Sequence, residues 1–129
     1  MKSWITAAAV IVLGAWAMAA PALAQSGEAS RGQRVFNTQC RACHTLEKDG
    51  ASVAGPNLHG VFGRKAGTGG GYDSSDAMKK SGIVWDEATL TEYNRDPKGK
   101  VPGTKMLFNG VKNAGQLADL VAYLKEATK

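Results

Sequence analysis

Cys40-Arg41-Ala42-Cys43-His44 is the stretch that decides how this chain is read. Two thiols three residues apart, followed at once by an imidazole, form the attachment site for a c-type haem. The spacing has a chemical reason. On a short helical turn Cys40 and Cys43 point the same way and can add across the two vinyl groups of a flat porphyrin. His44 then reaches the iron from that side as the proximal ligand. Three other readings are weaker. A thioredoxin-like redox pair needs a βαβ setting, and no such pattern surrounds this one. A zinc site would have to take both cysteines and both histidines of the chain, one of them adjacent to a cysteine, which strains a tetrahedral site. A plain disulfide leaves His44 unexplained.

Upstream, residues 26–41 read as a first helix. Ser26 or Ser30 can cap it, and Gln33 stands three after Ser30 as in a capping box. Val35, Phe36 and Cys40 share a face, with Gly32 one turn before Phe36. A glycine inside a helix costs about 1 kcal/mol against alanine, so Gly32 points to close approach by another element. Earlier still, Lys2 precedes an apolar run from Trp4 to Ala20, and Ala22-Leu23-Ala24 supplies the small residues a signal peptidase reads. The expectation is a cleaved secretory leader over residues 1–24, a cut after Ala24, and one domain over residues 25–129 that works in the periplasm. An uncleaved anchor is the rival reading of the leader. No other stretch could cross a membrane. The whole chain has 129 residues, a formal charge of +5 and 16 glycines, too little core for a domain of this size unless a haem supplies apolar bulk.

Downstream, residues 47–71 carry no sustained period and read as loop. Within them Gly55-Pro56-Asn57-Leu58-His59-Gly60 is a rigid turn. His59 could ligate iron in principle, but a lone loop histidine is read as a structural hydrogen-bonding group. Arg64 follows as a candidate donor to a haem propionate. Residues 73–81 read as a short helix ended by Gly82. Trp85, most simply core, has an indole N–H that a propionate could take. Asp86 caps a helix running to about Asp96 and closed by Pro97, with Leu90, Tyr93 and Asn94 on one face.

Residues 98–110 have no secondary-structure period yet present Met106 after a Pro-Gly turn. A loop methionine is ordinarily a gap filler. A haem with one ligand, however, needs something on its other face, and a neutral, soft thioether raises the reduction potential relative to a second histidine. The last helix, residues 113–127, places Leu117, Leu120, Val121 and Leu124 at i, i+3, i+4 and i+7. That stripe needs a partner, and the face bearing Gly32 and Phe36 is the natural one.

With these segments in order, the chain resembles class I cytochromes c of the mitochondrial and bacterial c2 type. The likeness runs from about Ala29 to the C-terminus. It rests on the Cys40–His44 motif, on Gly55-Pro56-Asn57-Leu58-His59-Gly60-Val61-Phe62-Gly63-Arg64-Lys65, on Gly82-Ile83-Val84-Trp85, on Pro102-Gly103-Thr104-Lys105-Met106 and on Asp119-Leu120-Val121-Ala122-Tyr123-Leu124-Lys125. The resemblance implies an all-α fold, short helices and loops wrapped round one covalently bound haem c, with the terminal helices crossing where Gly32 and Phe36 meet Leu120 and Tyr123. It implies His44 and Met106 as axial iron ligands, with the Pro56 carbonyl accepting the other ring N–H of His44. Arg64 and Trp85 match residues near the propionates, Thr104 one beside the inner propionate, and Tyr93 one near the axial methionine. Ser74 replaces a common propionate-binding tyrosine, and Tyr72 two residues earlier is a partial substitute. Asn94 and Lys100 also depart from the family's apolar and aromatic residues.

The function these readings imply is a monohaem electron carrier and not an enzyme. A haem enzyme or gas sensor would need an open iron and distal acid–base groups, and the only spare histidine, His59, sits in the proximal turn. Arg41, Lys98, Lys100, Lys105 and Lys112 bracket the route to the haem edge. They suit redox partners with acidic docking sites, such as a cytochrome bc1-type reductase on one side and an oxidase or reaction centre on the other. A monomer is expected, and no nucleic acid.

Overall fold

The computed structural model describes residues 27–129; the leader, its cut after Ala24 and Ser26 lie outside the described residues. Five helices follow in order: α1 (Ala29–Gln39), α2 (Asp76–Lys80), α3 (Glu87–Arg95), α4 (Pro97–Lys100) and α5 (Ala114–Ala127). No strand occurs among the described residues, only an isolated antiparallel bridge between Lys65 and Val84. The expected all-α architecture is what forms.

α5 buries its stripe of Leu117, Leu120, Val121 and Leu124, and the Asn113 side chain caps it by accepting the Gln116 N–H at 2.9 Å. Its partner is α1. A Cβ at Gly32 would run into the Asp119 carbonyl oxygen, so only glycine lets the two backbones approach this closely. Beside that crossing Phe36 packs on Tyr123 with ring centroids 5.8 Å apart at 51°. Leu120 is wholly buried there. Each fully buried leucine or phenylalanine contributes about 1.5–3 kcal/mol, so this crossing is a main source of stability.

The local start of α1 differs from the serine cap read in the sequence. Glu28 holds the cap position without a side-chain cap bond. Its N–H donates instead to Asp119 Oδ1 at 2.6 Å, and Arg31 Nε donates to Asp119 Oδ2 at 2.9 Å. A carboxylate from the opposite helix thus does the work that a local hydroxyl would do.

α2 is shorter than expected, because Ser75 accepts the Met78 N–H and sets its start; Gly82 follows at φ 71°. α3 carries a capping box in which Asp86 Oδ1 accepts the Thr89 N–H at 2.7 Å and Thr89 Oγ1 accepts the Asp86 N–H at 2.8 Å. Pro97 closes α3 but also opens α4. At the first helical position its missing N–H costs nothing, and Asp96 Oδ1 accepts the Gly99 N–H at 3.1 Å.

Two buried clusters result. One joins Val35, Phe36, Val111, Leu117, Leu120 and Leu124 under the helix crossing. The other joins Val61, Ala66, Trp85, Leu90, Tyr93 and Val101. Residues of both line one cavity.

Candidate haem site

The motif opens on the last turn of α1. Cys40 N–H donates to the Phe36 carbonyl at 2.9 Å, and the Cys43 and His44 N–H groups both return to the Cys40 carbonyl at 3.0 and 3.1 Å. This tight turn carries the two thiols and the imidazole to one wall of the cavity. Both cysteines are free thiols. Burial, with the neighbouring Cys43 adding, pushes the Cys40 thiol up to about 11, so it stays protonated at neutral pH.

His44 is held from behind. Its Nδ1 lies 2.8 Å from the Pro56 carbonyl oxygen, which fixes the tautomer with Nε2 unprotonated and available to a metal. Burial lowers its pKa, with the Pro56 bond opposing, and favours the neutral form a ligand needs. The turn at 55–57 comes so close that a Cβ on Gly55 would sit 2.5 Å from the imidazole Cε1. The Gly55 N–H in turn donates to the Cys43 carbonyl at 3.0 Å. Proximal turn and thiol turn are one unit.

Met106 lies in the loop after α4 and lines the same cavity. Thr104 Oγ1 accepts the Met106 N–H at 3.3 Å and lies 2.6 Å from the Tyr93 hydroxyl of α3. Tyr93 also packs on Trp85, centroids 5.2 Å apart at 48°. Burial raises the Tyr93 pKa, with the Thr104 hydrogen bond opposing.

All eleven cofactor residues read from the sequence line this one cavity of about 310 Å³: Cys40, Cys43, His44, Pro56, Arg64, Tyr72, Ser74, Trp85, Tyr93, Thr104 and Met106. Their polar groups are not equally available. Arg64 donates from Nη1 to the His59 carbonyl at 3.2 Å and from Nη2 to the Asn57 carbonyl at 3.1 Å, so it braces the proximal turn, and burial lowers its pKa. Tyr72 spends its one hydroxyl proton on the Ala54 carbonyl at 3.1 Å. Ser74 and Trp85 are buried residues, but the Ser74 hydroxyl and the Trp85 indole N–H make no hydrogen bond among the described residues and open to the cavity. Donors that open into a cavity without a protein partner fit the carboxylates of a prosthetic group. His59 does not line the cavity; its backbone N–H donates to Asn57 Oδ1 at 3.1 Å and its carbonyl accepts from Arg64.

The cavity also collects residues the sequence did not single out as its lining. Ser75, Met78, Leu107 and Phe108 face it, as does Asn94, noted only as a departure. Met78 is a second thioether on the wall, packed with the same cluster as Met106. Reading Ser75 as the cap of α2 would have set the helix start and put Met78 in its first turn.

Of the five cations read as docking candidates, Lys105 alone lines the cavity. It bonds Asp73, while Lys100 pairs with Glu92. Lys112 Nζ donates to the Arg95 carbonyl at 2.7 Å and Arg41 Nη1 to Asn37 Oδ1 at 3.0 Å. Lys98 is exposed and has no side-chain partner among the described residues.

An all-helical chain closing on one cavity, with two thiols and an imidazole on one wall and a loop thioether also facing in, defines a c-type haem protein. The sequence model of the cytochrome c family, described as "Cytochrome c", matches residues 29–128, and this chain belongs to that family. Its members are electron carriers, not enzymes, and hold one covalently bound haem c. Relatives named "Cytochrome c" agree. The protein of Gibberella zeae is 50% identical over 103 residues, covering 80% of this chain and 97% of its own. That of Ginkgo biloba is 46% identical over 105 residues, covering 81% and 93%. That of Chlamydomonas reinhardtii is 48% identical over 105 residues, covering 81% and 94%.

These relatives correct one expectation. A fungus, a seed plant and a green alga are eukaryotes, whose cells have no periplasm, so the periplasmic location read from residues 1–24 does not stand. The leader was read from the Lys2 charge, the apolar run and the Ala22-Leu23-Ala24 cleavage signal, and none of these names a compartment. Among the described residues no helix is long and apolar enough to cross a membrane.

Proposed function

We propose that this protein shuttles single electrons between a cytochrome bc1-type reductase and an oxidase or reaction centre; Cys40 and Cys43 would hold a haem covalently, and His44 and Met106 would ligate its iron. The observation that carries the reading is the single cavity onto which the thiols, the imidazole and the loop thioether all converge. When bound, the haem supplies the one-electron Fe(III)/Fe(II) couple. The chain's own residues do the rest. Pro56 orients His44 and raises its basicity through the 2.8 Å contact at Nδ1. Tyr93 and Thr104 hold the loop that carries Met106. Ser74, Trp85, Thr104, Tyr72 and Arg64 surround the propionate side, where Ser74 and Trp85 have donors to give. The two apolar clusters exclude water and keep the site's potential high.

The test is substitution in the ferric holoprotein. Met106→Ala should abolish the weak near-infrared sulfur-to-iron band, open the iron to small ligands and lower the potential. Met78→Leu should leave the band in place. If the band survives the first substitution and is lost in the second, the ligand is Met78 and the reading is wrong.

A further inference from the structure

Asp73 stands between two residues of the cavity wall, Tyr72 and Ser74, and is itself exposed. Across the mouth, Lys105 precedes Met106 on the other loop. Lys105 Nζ donates to the Asp73 backbone carbonyl at 2.7 Å and to its carboxylate Oδ2 at 3.2 Å. Among the described residues these are the only hydrogen bonds joining segment 72–75 to segment 101–106. The other carboxylate oxygen, Oδ1, accepts from Lys79 Nζ of α2 at 2.9 Å. One acid therefore holds two lysines, one from the helix below it and one from the loop opposite.

We propose that Asp73 is a positioning residue for the distal ligand: its carboxylate latches the Met106 loop to segment 72–75 through Lys105 at Oδ2, while Lys79 holds Oδ1. The proposal rests on the reading of Met106 as the iron ligand. An electron carrier gains by keeping that ligand on the iron through both redox states, and a loop with no helix of its own needs ties to its neighbours. One tie is inside, through Thr104 and Tyr93; Asp73 is the tie at the rim. Because the pair is exposed, its hold is modest, about two- to fivefold in the opening equilibrium, and salt screens it.

The experiment measures loop opening in the ferric holoprotein at neutral pH and low salt. Under saturating imidazole the rate of losing the near-infrared band is the rate at which the Met106 loop opens. Asp73→Asn should open about two- to fivefold faster than the parent, with its denaturation midpoint unchanged. Asp73→Glu should restore the parent rate, and Lys79→Ala should open no faster than the parent. Added sodium chloride should bring the parent up to the Asp73→Asn rate and leave that variant unmoved. Equal rates for Asp73→Asn and the parent, or equal salt responses, overturn the latch. Failure of the underlying reading looks different, for then the band survives Met106→Ala.

Discussion

The Tyr93 hydroxyl and Thr104 Oγ1 lie 2.6 Å apart, joining α3 to the loop that ends in Met106. The two ends of this bond are not equivalent. Thr104 Oγ1 also accepts the Met106 N–H, whereas the Tyr93 hydroxyl has no other hydrogen bond among the described residues. Thr104→Val therefore leaves a buried phenol without a partner, and should cost about 1–3 kcal/mol. Tyr93→Phe leaves Thr104 with the Met106 N–H and should cost about 1 kcal/mol or less. Denaturant midpoints of the two variants check the order, and a larger loss in Tyr93→Phe would refute it.

At the helix crossing, intrinsic propensity and packing give opposite forecasts for Gly32→Ala. Propensity alone favours alanine by about 1 kcal/mol. The added methyl, however, meets the Asp119 carbonyl of α5, a backbone atom that cannot swing aside. Packing should win, with a loss of about 3 kcal/mol in urea unfolding. A neutral or stabilising result would mean that the helices separate more easily than this contact implies.

How much of this was legible in the sequence depends on the range of the interaction. The α5 stripe, the Asp86 and Asn113 caps and the CxxCH turn are set within a few residues, and they could be read directly. The start of α1 could not, because Glu28 and Arg31 are satisfied by Asp119, some 90 positions away. α4 was missed because a four-residue helix shows no period, and Pro97 was read only as a stop. In the site, residue types at known spacing, together with the family resemblance, gave eleven residues that all line the cavity. What they did not give was which donors are already spent: Arg64 on the carbonyls of Asn57 and His59, Tyr72 on Ala54.

Asp119 makes acid stability predictable in sign. The Arg31 guanidinium, then the Glu28 N–H, hold its carboxyl below its ordinary 3.8. A group depressed on folding stabilises the native state above its unfolded pKa and loses that contribution as pH falls through the folded value. Asp119→Asn should thus lower the melting temperature by a few degrees near neutrality, and the gap to the parent should close below pH 3.8. Melting curves of both proteins across that range provide the check. A gap of constant width would show that the loss is one of packing and not of charge.

Docking is the last property the charges decide. Lys100 and Lys105 each face a carboxylate, so their fields are partly cancelled at a distance. Lys98 and Lys112 keep theirs, since neither is paired with an acid among the described residues, and Arg41 bonds an amide with Glu47 only farther off. A partner with an acidic docking site should therefore be steered mainly by these three, and the electron-transfer rate should fall as ionic strength rises. Lys98→Glu should slow the reaction with a purified redox partner roughly threefold or more at low salt. The control needs care. Lys125 lies away from the mouth but pairs with Glu87 across α5 and α3, so reversing it would set two acids together and disturb the fold. Lys48 is the better choice: like Lys98 it is exposed and has no partner among the described residues, but it belongs to the loop after the thiol turn and not to the segment that carries Met106. Lys48→Glu should leave the rate nearly unchanged. A rate indifferent to salt, or equal losses from Lys98→Glu and Lys48→Glu, would turn attention to an apolar contact, for which Leu107, 93% exposed beside Met106, is the natural centre.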